Sequence, residues 1–155
     1  MSDPLHHAED IAAEIKRRLL TRTIALGAET DLGAAVYQGR RSIDKEQIPC
    51  CVVIEGDDVP ERATVTTSYN VVQRYVLLAY VPCTLDDPNL AAHAAIRDMK
   101  RAIFLTDGKP DPRWGRTVKD VTYVGRDIGP RADGEKFVLA IIEITVQYVE
   151  DLAAP

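Results

Sequence analysis

The residues best suited to chemistry are three His, three Cys and two Asp pairs. His93 lies in an Ala-rich stretch, with Asn89 one helical turn before it and Arg97 one turn after. A general base needs a carboxylate to orient it or a nucleophile beside it. Neither stands at helical spacing from His93. His6 and His7 are adjacent, and neighbours on a helix diverge by about 100°, so they do not clamp a metal. Asp57-Asp58 and Asp86-Asp87 are the residue type that gathers Mg²⁺ in a metal-dependent nuclease. The first pair reads as a turn and the second as a helix cap, and no Lys is spaced to complete a nuclease pattern. Cys50 and Cys51 open the apolar run to Ile54, where neighbours face opposite sides of a strand. They read as buried free thiols. An odd cysteine count does not suit a disulfide framework and points to synthesis in a reducing cytoplasm. Gly125-Arg-Asp-Ile-Gly129 lacks a third glycine and opens no helix, and Gly-x-Ser-x-Gly is absent. The expectation is a non-enzyme, with no catalytic residue, no metal and no cofactor.

The elements that would position such residues follow from length and pattern. A chain of 155 residues with 46% apolar and 28% charged residues is expected to form one domain over 1–155, with a core that needs no disulfide or metal. Uninterrupted apolar runs are short, as at Val138–Ile142, so no membrane helix is expected. Met1–Asp10 is acidic and lacks the apolar stretch of a secretory signal. A net charge of −5 makes nucleic acid a poor default partner.

The first helix is expected after Asp3-Pro4, as N-cap and first helical residue, with Ile11, Ile15 and Leu19 on its apolar face. Lys16, Arg17 and Arg18 read as a solvated face in its last turns, and Gly27 as its stop. Val36–Gln38 is a short strand. Cys50–Glu55 is an apolar strand ended by Gly56-Asp57-Asp58 and Pro60. Thr64–Val81 reads as a long strand, bulged near Ser68–Asn70. Asp86-Asp87-Pro88 then starts the clearest helix, with Ala92, Ile96, Met99 and Ile103 as its stripe. Leu105–Thr117 reads as a loop, Val118–Ile128 as an alternating strand, Gly129–Gly134 as a turn, and Phe137–Val149 as the last strand.

Helix, strands, helix, two strands gives an α+β fold. The expected form has two layers, a mostly antiparallel sheet with both helices on one face, and long hairpin or loop extensions. A strand of about 13 residues spans roughly 43 Å. A domain of this size has a radius of gyration of roughly 15 Å, so the long strands should cross the domain or project as a hairpin arm. Charge is uneven: residues 1–49 carry net −1, 50–89 net −4, 90–136 net +3 and 137–155 net −3. Opposite signs on different segments suit a head-to-tail contact between copies, which closes into a ring when the rotation permits.

Three stretches carry a family resemblance. They are Val36–Arg41 leading to Ile48–Asp57, Tyr80–His93 with its helix, and Val121–Arg126 continuing through Phe137 to Asp151. Together they resemble the tail terminator proteins of long-tailed bacteriophages, also called minor tail protein U-like or tail-to-head joining proteins. The resemblance covers most of the chain and rests on pattern and length. It implies a structural virion protein, assembled in the host cytoplasm, that forms a homohexameric ring at the head-proximal end of the tail. The ring stops tail-tube polymerisation, meets the tube protein on one side and a neck or head-completion protein on the other, and lets DNA pass through its lumen. It implies no membrane contact and brings no catalytic residues with it.

A hexamer would carry a formal −30, and acidic walls let DNA slide instead of stick. Asp57 and Asp58 are therefore the expected lumen acids. Loops Gly39–Pro49, Leu105–Thr117 and Ile128–Lys136 are expected to hold the contacts, with Arg40, Arg41, Trp114, Arg116 and Arg131 as anchors. The alternatives are another neck ring component (a head-closure or tail-completion protein), a small metal-dependent nuclease or hydrolase, and a dimeric ligand-binding domain.

Overall fold

A computed structural model describes residues 3–62 and 66–155. The order is helix α1 (Ala8–Leu19), strand β1 (Val36–Gln38), β2 (Cys50–Arg62), β3 (Ser68–Pro82), helix α2 (Pro88–Phe104), a two-residue ladder β4 (Leu105–Thr106) and β5 (Lys109–Pro110), then β6 (Asp120–Ile128) and β7 (Phe137–Asp151). Five strands form one sheet in the order β1-β2-β3-β7-β6, while β4 and β5 pair separately. Every neighbouring pair in the large sheet is antiparallel except β1 with β2. This is the expected α+β class. β3, α2 and β6 form a crossover unit with β7 inserted between its two parallel strands.

Both helices cover one face of the sheet. Val71, Tyr75, Leu77, Ala79 and Val81 of β3 and Val138, Ala140, Ile142, Ile144, Val146 and Tyr148 of β7 point to that face and are buried. The strict alternation of period two produces this one-sided packing. Against it lie Ile11, Ile15 and Leu19 of α1 and Ala92, Ala95, Ile96, Met99, Ala102 and Ile103 of α2. The alanines thin one side of α2 and let the helix sit close on the strands. The predicted stripe of Ala92, Ile96, Met99 and Ile103 is fully confirmed. Cys51 lies in this core, while its buried neighbour Cys50 is outside it, as alternation requires.

Several boundaries differ from the sequence reading, each because a distant contact outweighs a local signal. α1 starts at Ala8 with His7 as an N-cap that makes no side-chain capping bond. Asp3-Pro4 stays outside because the Leu5 amide donates to Thr117 O (2.8 Å) and His6 Nδ1 to Val149 O (3.0 Å). Gly27 (φ 95°) closes a 3-10 turn at Ile24–Leu26, not α1 itself. Gly33 tucks under the end of α1, where a Cβ would stand 2.2 Å from Leu19 O. The last strand runs two residues past Val149, and the Leu105–Thr117 loop contains the β4–β5 ladder.

The largest correction concerns β2. Gly56, Asp57 and Asp58 do not end it. A bulge between Glu55 and Asp58 absorbs one extra residue, and pairing with β3 resumes from Asp58↔Gln73 to Arg62↔Tyr69. The bulge therefore lies in β2, and β3 runs in unbroken register with β7 from Ser68 to Pro82. β6 has a similar shift between Tyr123 and Gly125. The long strands cross the domain instead of projecting as a free hairpin, because β7 pairs with β3 along its whole length and Val71 is buried; the exposed outer half of β2 is the arm. Thr64 and its neighbours at 63–65 fall outside the described residues.

Candidate interaction surfaces

Groups with catalytic residue types remain apart. His93 Nδ1 faces Arg126 Nη1 at 3.0 Å and meets no carboxylate among the described residues. Asp57 stands 3.7 Å from Arg74 Nε, which also pairs with Glu143 at 3.2 Å. Asp87 is the N-cap of α2, with Pro88 as the first helical residue. Burial pushes the Cys50 thiol up to about 11 and raises Cys51 further, so neither is a thiolate at neutral pH. Among the described residues, no three His, Cys, Asp or Glu side chains converge on a common point.

Two polar clusters organise the interior instead. The first joins α1, α2 and the following loop through Arg18. Its Nε donates to Glu14 Oε1 (2.9 Å), its Nη1 to Ala102 O and Leu105 O (both 3.2 Å), and its Nη2 to Thr106 Oγ1 (3.1 Å). These carbonyls end α2, where a cation complements the helix dipole and replaces missing hydrogen bonds. Burial lowers the Arg18 pKa, opposed by the charge of Glu14, yet the group stays charged. Arg18 is thus inside the molecule, and the expected solvated face is reduced to its neighbours.

The Trp114 ring closes the same cluster. Trp114, Gly115 and Arg116 all take left-handed backbone angles (φ 47°, 66° and 69°). That reversal turns the indole inward, where its Nε1 donates to Ile103 O at 2.8 Å and its ring is 3% exposed. The Asp111 carboxylate fixes the reversal by accepting the Gly115 amide from 2.9 Å and the Thr106 hydroxyl from 2.8 Å. The expectation that Trp114 anchors a partner is therefore revised. A buried ring bonded to its own chain has no face to offer.

The second cluster was missed from sequence. Asp98 is fully buried on α2. Its carboxylate accepts the Glu29 amide (3.1 Å), the Thr30 amide (2.7 Å) and the Thr30 hydroxyl (2.7 Å). Above it, Glu29 accepts from Arg97 and Arg101, whose side-chain hydrogen bonds hold its carboxyl at about 2. The signal was present as Asp98 on the apolar side of a helix, next to Met99.

The remaining arginine candidates are on loops. Arg40 is exposed and stacks 4.2 Å from the centre of the Tyr37 ring. Arg41 is exposed and lines a cleft of about 400 Å³ beside β2 with Gln38, Val53 and Glu55. Arg116 is exposed. Arg131 is half-buried and donates to Glu135 O at 2.6 Å, so it shapes its own turn. Lys45 and Glu135, 3.6 Å apart, bring the loops at 39–49 and 129–136 together. The structure thus separates the candidates into Arg40, Arg41 and Arg131 on two adjoining loops and Arg116 on the loop after α2. Asp57 and Asp58 sit on the arm, both exposed.

No protein-family model matches the sequence. No curated protein matches it either. Solved structures do: the fold is similar to that of a chain in the virion of a native gene transfer agent (GTA) particle, with 14% identity and a TM-score of 0.52. The match covers 87% of this chain and 91% of that one, so the two chains share a fold over nearly their whole lengths.

Proposed function

We propose that this chain is a structural virion subunit acting as a tail terminator. It assembles as a ring, in a hexamer on this reading, at the head-proximal end of a tail tube. There it stops tube growth, joins the tail to the neck, and surrounds passing DNA. The observation that carries the reading is the fold shared end to end with a chain of the GTA virion. The sequence resemblance to tail terminators points the same way. The dispersed His, Cys and Asp groups fit a subunit whose work is done by edges and loops.

The arm supplies an acid for the lumen. Asp57 is exposed, only loosely paired with Arg74 and on the face away from the helices, which suits the lumen, whereas Asp58 stands on the helix side opposite Gln73. Negative charge facing phosphates lowers affinity for passing DNA. The two adjoining loops carrying Arg40, Arg41 and Arg131 and the separate loop carrying Arg116 provide two contact regions, for tube and neck.

Deleting the gene from the particle that encodes it tests this reading. Tails of unregulated length without joined heads are expected, restored by supplying the chain in trans. Tails of normal length that fail to join heads would instead make it another neck ring component. Normal, fully joined particles would overturn the structural role.

A further inference from the structure

The five-stranded sheet has two free edges. β1 covers β2 only along Cys51–Val53, so the outer side of β2 is open from Ile54 to Arg62. At the other end, β6 pairs with β7; its Val121 amide is taken by Pro112 O (2.7 Å) and its Ile128 amide by Asp127 Oδ1 (2.8 Å), which leaves the stretch from Thr122 to Asp127 open among the described residues. Unpaired strand edges expose a row of main-chain donors and acceptors that another strand can fill. The two open stretches also lie at the same height. Tyr123, Ile144, Tyr75 and Glu55 form one row across the sheet, and Gly125, Glu143, Val76 and Ile54 form another.

The side chains beside these edges are complementary. On the arm, Glu55 and Asp58 lie opposite the inward-facing Tyr75 and Gln73, on the helix side of the sheet, and neither makes an ion pair among the described residues. Beside β6, also on the helix side, Lys100 sits 4.6 Å from the Tyr123 ring centre and Arg126 Nη1 lies 3.0 Å from His93 Nδ1. Neither of these cations has a carboxylate partner among the described residues. Between them, Lys100, Arg101, Phe104, Leu105 and Tyr123 line an apolar cleft of about 360 Å³. Each edge also exposes an apolar side chain, Val59 (64%) on the arm and Val124 (52%) on β6.

We propose that the β2 arm edge of one copy adds to the β6 edge of a second copy, setting Glu55 and Asp58 against Lys100 and Arg126. This deepens the ring reading and rests on it. Strand directions support the pairing. β2 runs antiparallel to β6 within the sheet, so a neighbour carried sideways in the same orientation presents an antiparallel partner, the stronger ladder. Charge on the helix side selects this contact over the self-complementary ones. There, arm on arm opposes acids to acids and β6 on β6 opposes cations to cations, while Asp120 and Asp127 of β6 lie on the other face. A contact between unlike surfaces is the head-to-tail kind that closes rings.

Charge exchange between two full-length variants tests the pairing. Glu55→Lys/Asp58→Lys and Lys100→Glu/Arg126→Glu are each expected to lose association at least tenfold by native mass and sedimentation, with circular dichroism unchanged. An equimolar mixture should restore assembly, because each altered edge then meets its complement. If both variants associate like the parent, or the folded mixture fails to recover, the interface is wrong even though assembly of the parent keeps the ring reading. If the parent is monomeric alone, a spin label on Glu61→Cys in a Cys83→Ser background reports weak contacts with a ¹⁵N-labelled copy. Broadening centred on Val118–Val121 and reaching Tyr123 is expected, since Val59 stands level with Asp120. Broadening elsewhere overturns the proposed edge. No broadening, together with no ring on isolated tail tubes, overturns both the edge and the ring.

Discussion

The Arg18 guanidinium lies 5.1 Å from the centre of the Trp114 ring, joining the end of α1 to the loop after α2. Removing either side leaves α2 carbonyls without their donors, since Arg18 serves Ala102 O and Trp114 serves Ile103 O. Trp114→Ala is expected to destabilise the subunit by about 4 kcal/mol through the cavity it leaves. Trp114→Phe should lose about 1 kcal/mol, the worth of the indole hydrogen bond. Arg18→Met keeps the stem and leaves Glu14 with Arg17, but strips the Ala102 and Leu105 carbonyls of their donor, for a loss of about 2 kcal/mol. Urea unfolding of the three variants measures this. Wild-type stability in Trp114→Ala would remove the ring from the core.

Asp98 gathers three donors from the chain at residues 29–30. Asp98→Ala strands these donors in a buried site and should cost about 3 kcal/mol. Asp98→Asn replaces one acceptor oxygen by a donor and should recover less than half of that. Hydrogen exchange checks the cause as well as the size: the Glu29 and Thr30 amides should lose protection before those of β3 and β7.

Glu29 sets a pH dependence. Hydrogen bonds from Arg97 and Arg101 lower its carboxyl from an ordinary 4.5 to about 2. Between those values the unfolded chain binds the proton and the folded one does not, so stability is present above about 4.5 and lost as pH falls towards 2. Arg17 and Arg18 lower Glu14 in the same direction, outweighing the effect of its burial. The Glu29 side chain is 37% exposed, which limits its share to at most about 1 kcal/mol, less in salt. Denaturant midpoints should fall between pH 5 and 2.5, and Glu29→Gln should flatten that slope. An unchanged slope would place the acid sensitivity elsewhere.

The lumen acid of the arm predicts how the chain treats DNA. Asp57→Lys shifts each subunit by +2, because one negative charge becomes a positive one. The variant should bind duplex DNA at low salt where the parent does not, with affinity falling steeply as salt rises. Particles carrying it should eject DNA slowly while their tails keep normal length. Fluorescence anisotropy and ejection kinetics measure the two effects. Unaltered ejection would take Asp57 out of the lumen.

Legibility differs sharply among the elements. α2 was readable because its stripe, Pro88 and Asp87 all act within a few residues of one another, and the same holds for the period-two run of β7. β2 was read short because Gly56, Asp57, Asp58 and Pro60 are local breaker signals. Pairing with Val71–Gln73 and a one-residue bulge overrode them. The start of α1 was missed because Leu5 and His6 are held by Thr117 and Val149, which no local pattern reveals.

The candidate surfaces divide in the same way. The sequence by itself determined the α+β class, the core face of α2 and the long last strand, because side-chain periodicity and turn chemistry act over short distances. Tertiary structure alone decided that Arg18, Asp98 and Trp114 are interior residues and that β2 and β6 are the open edges. Those outcomes depend on partners far along the chain, such as Ala102 for Arg18, 84 residues away. A charged or aromatic side chain looks the same in sequence whether such a partner or solvent awaits it.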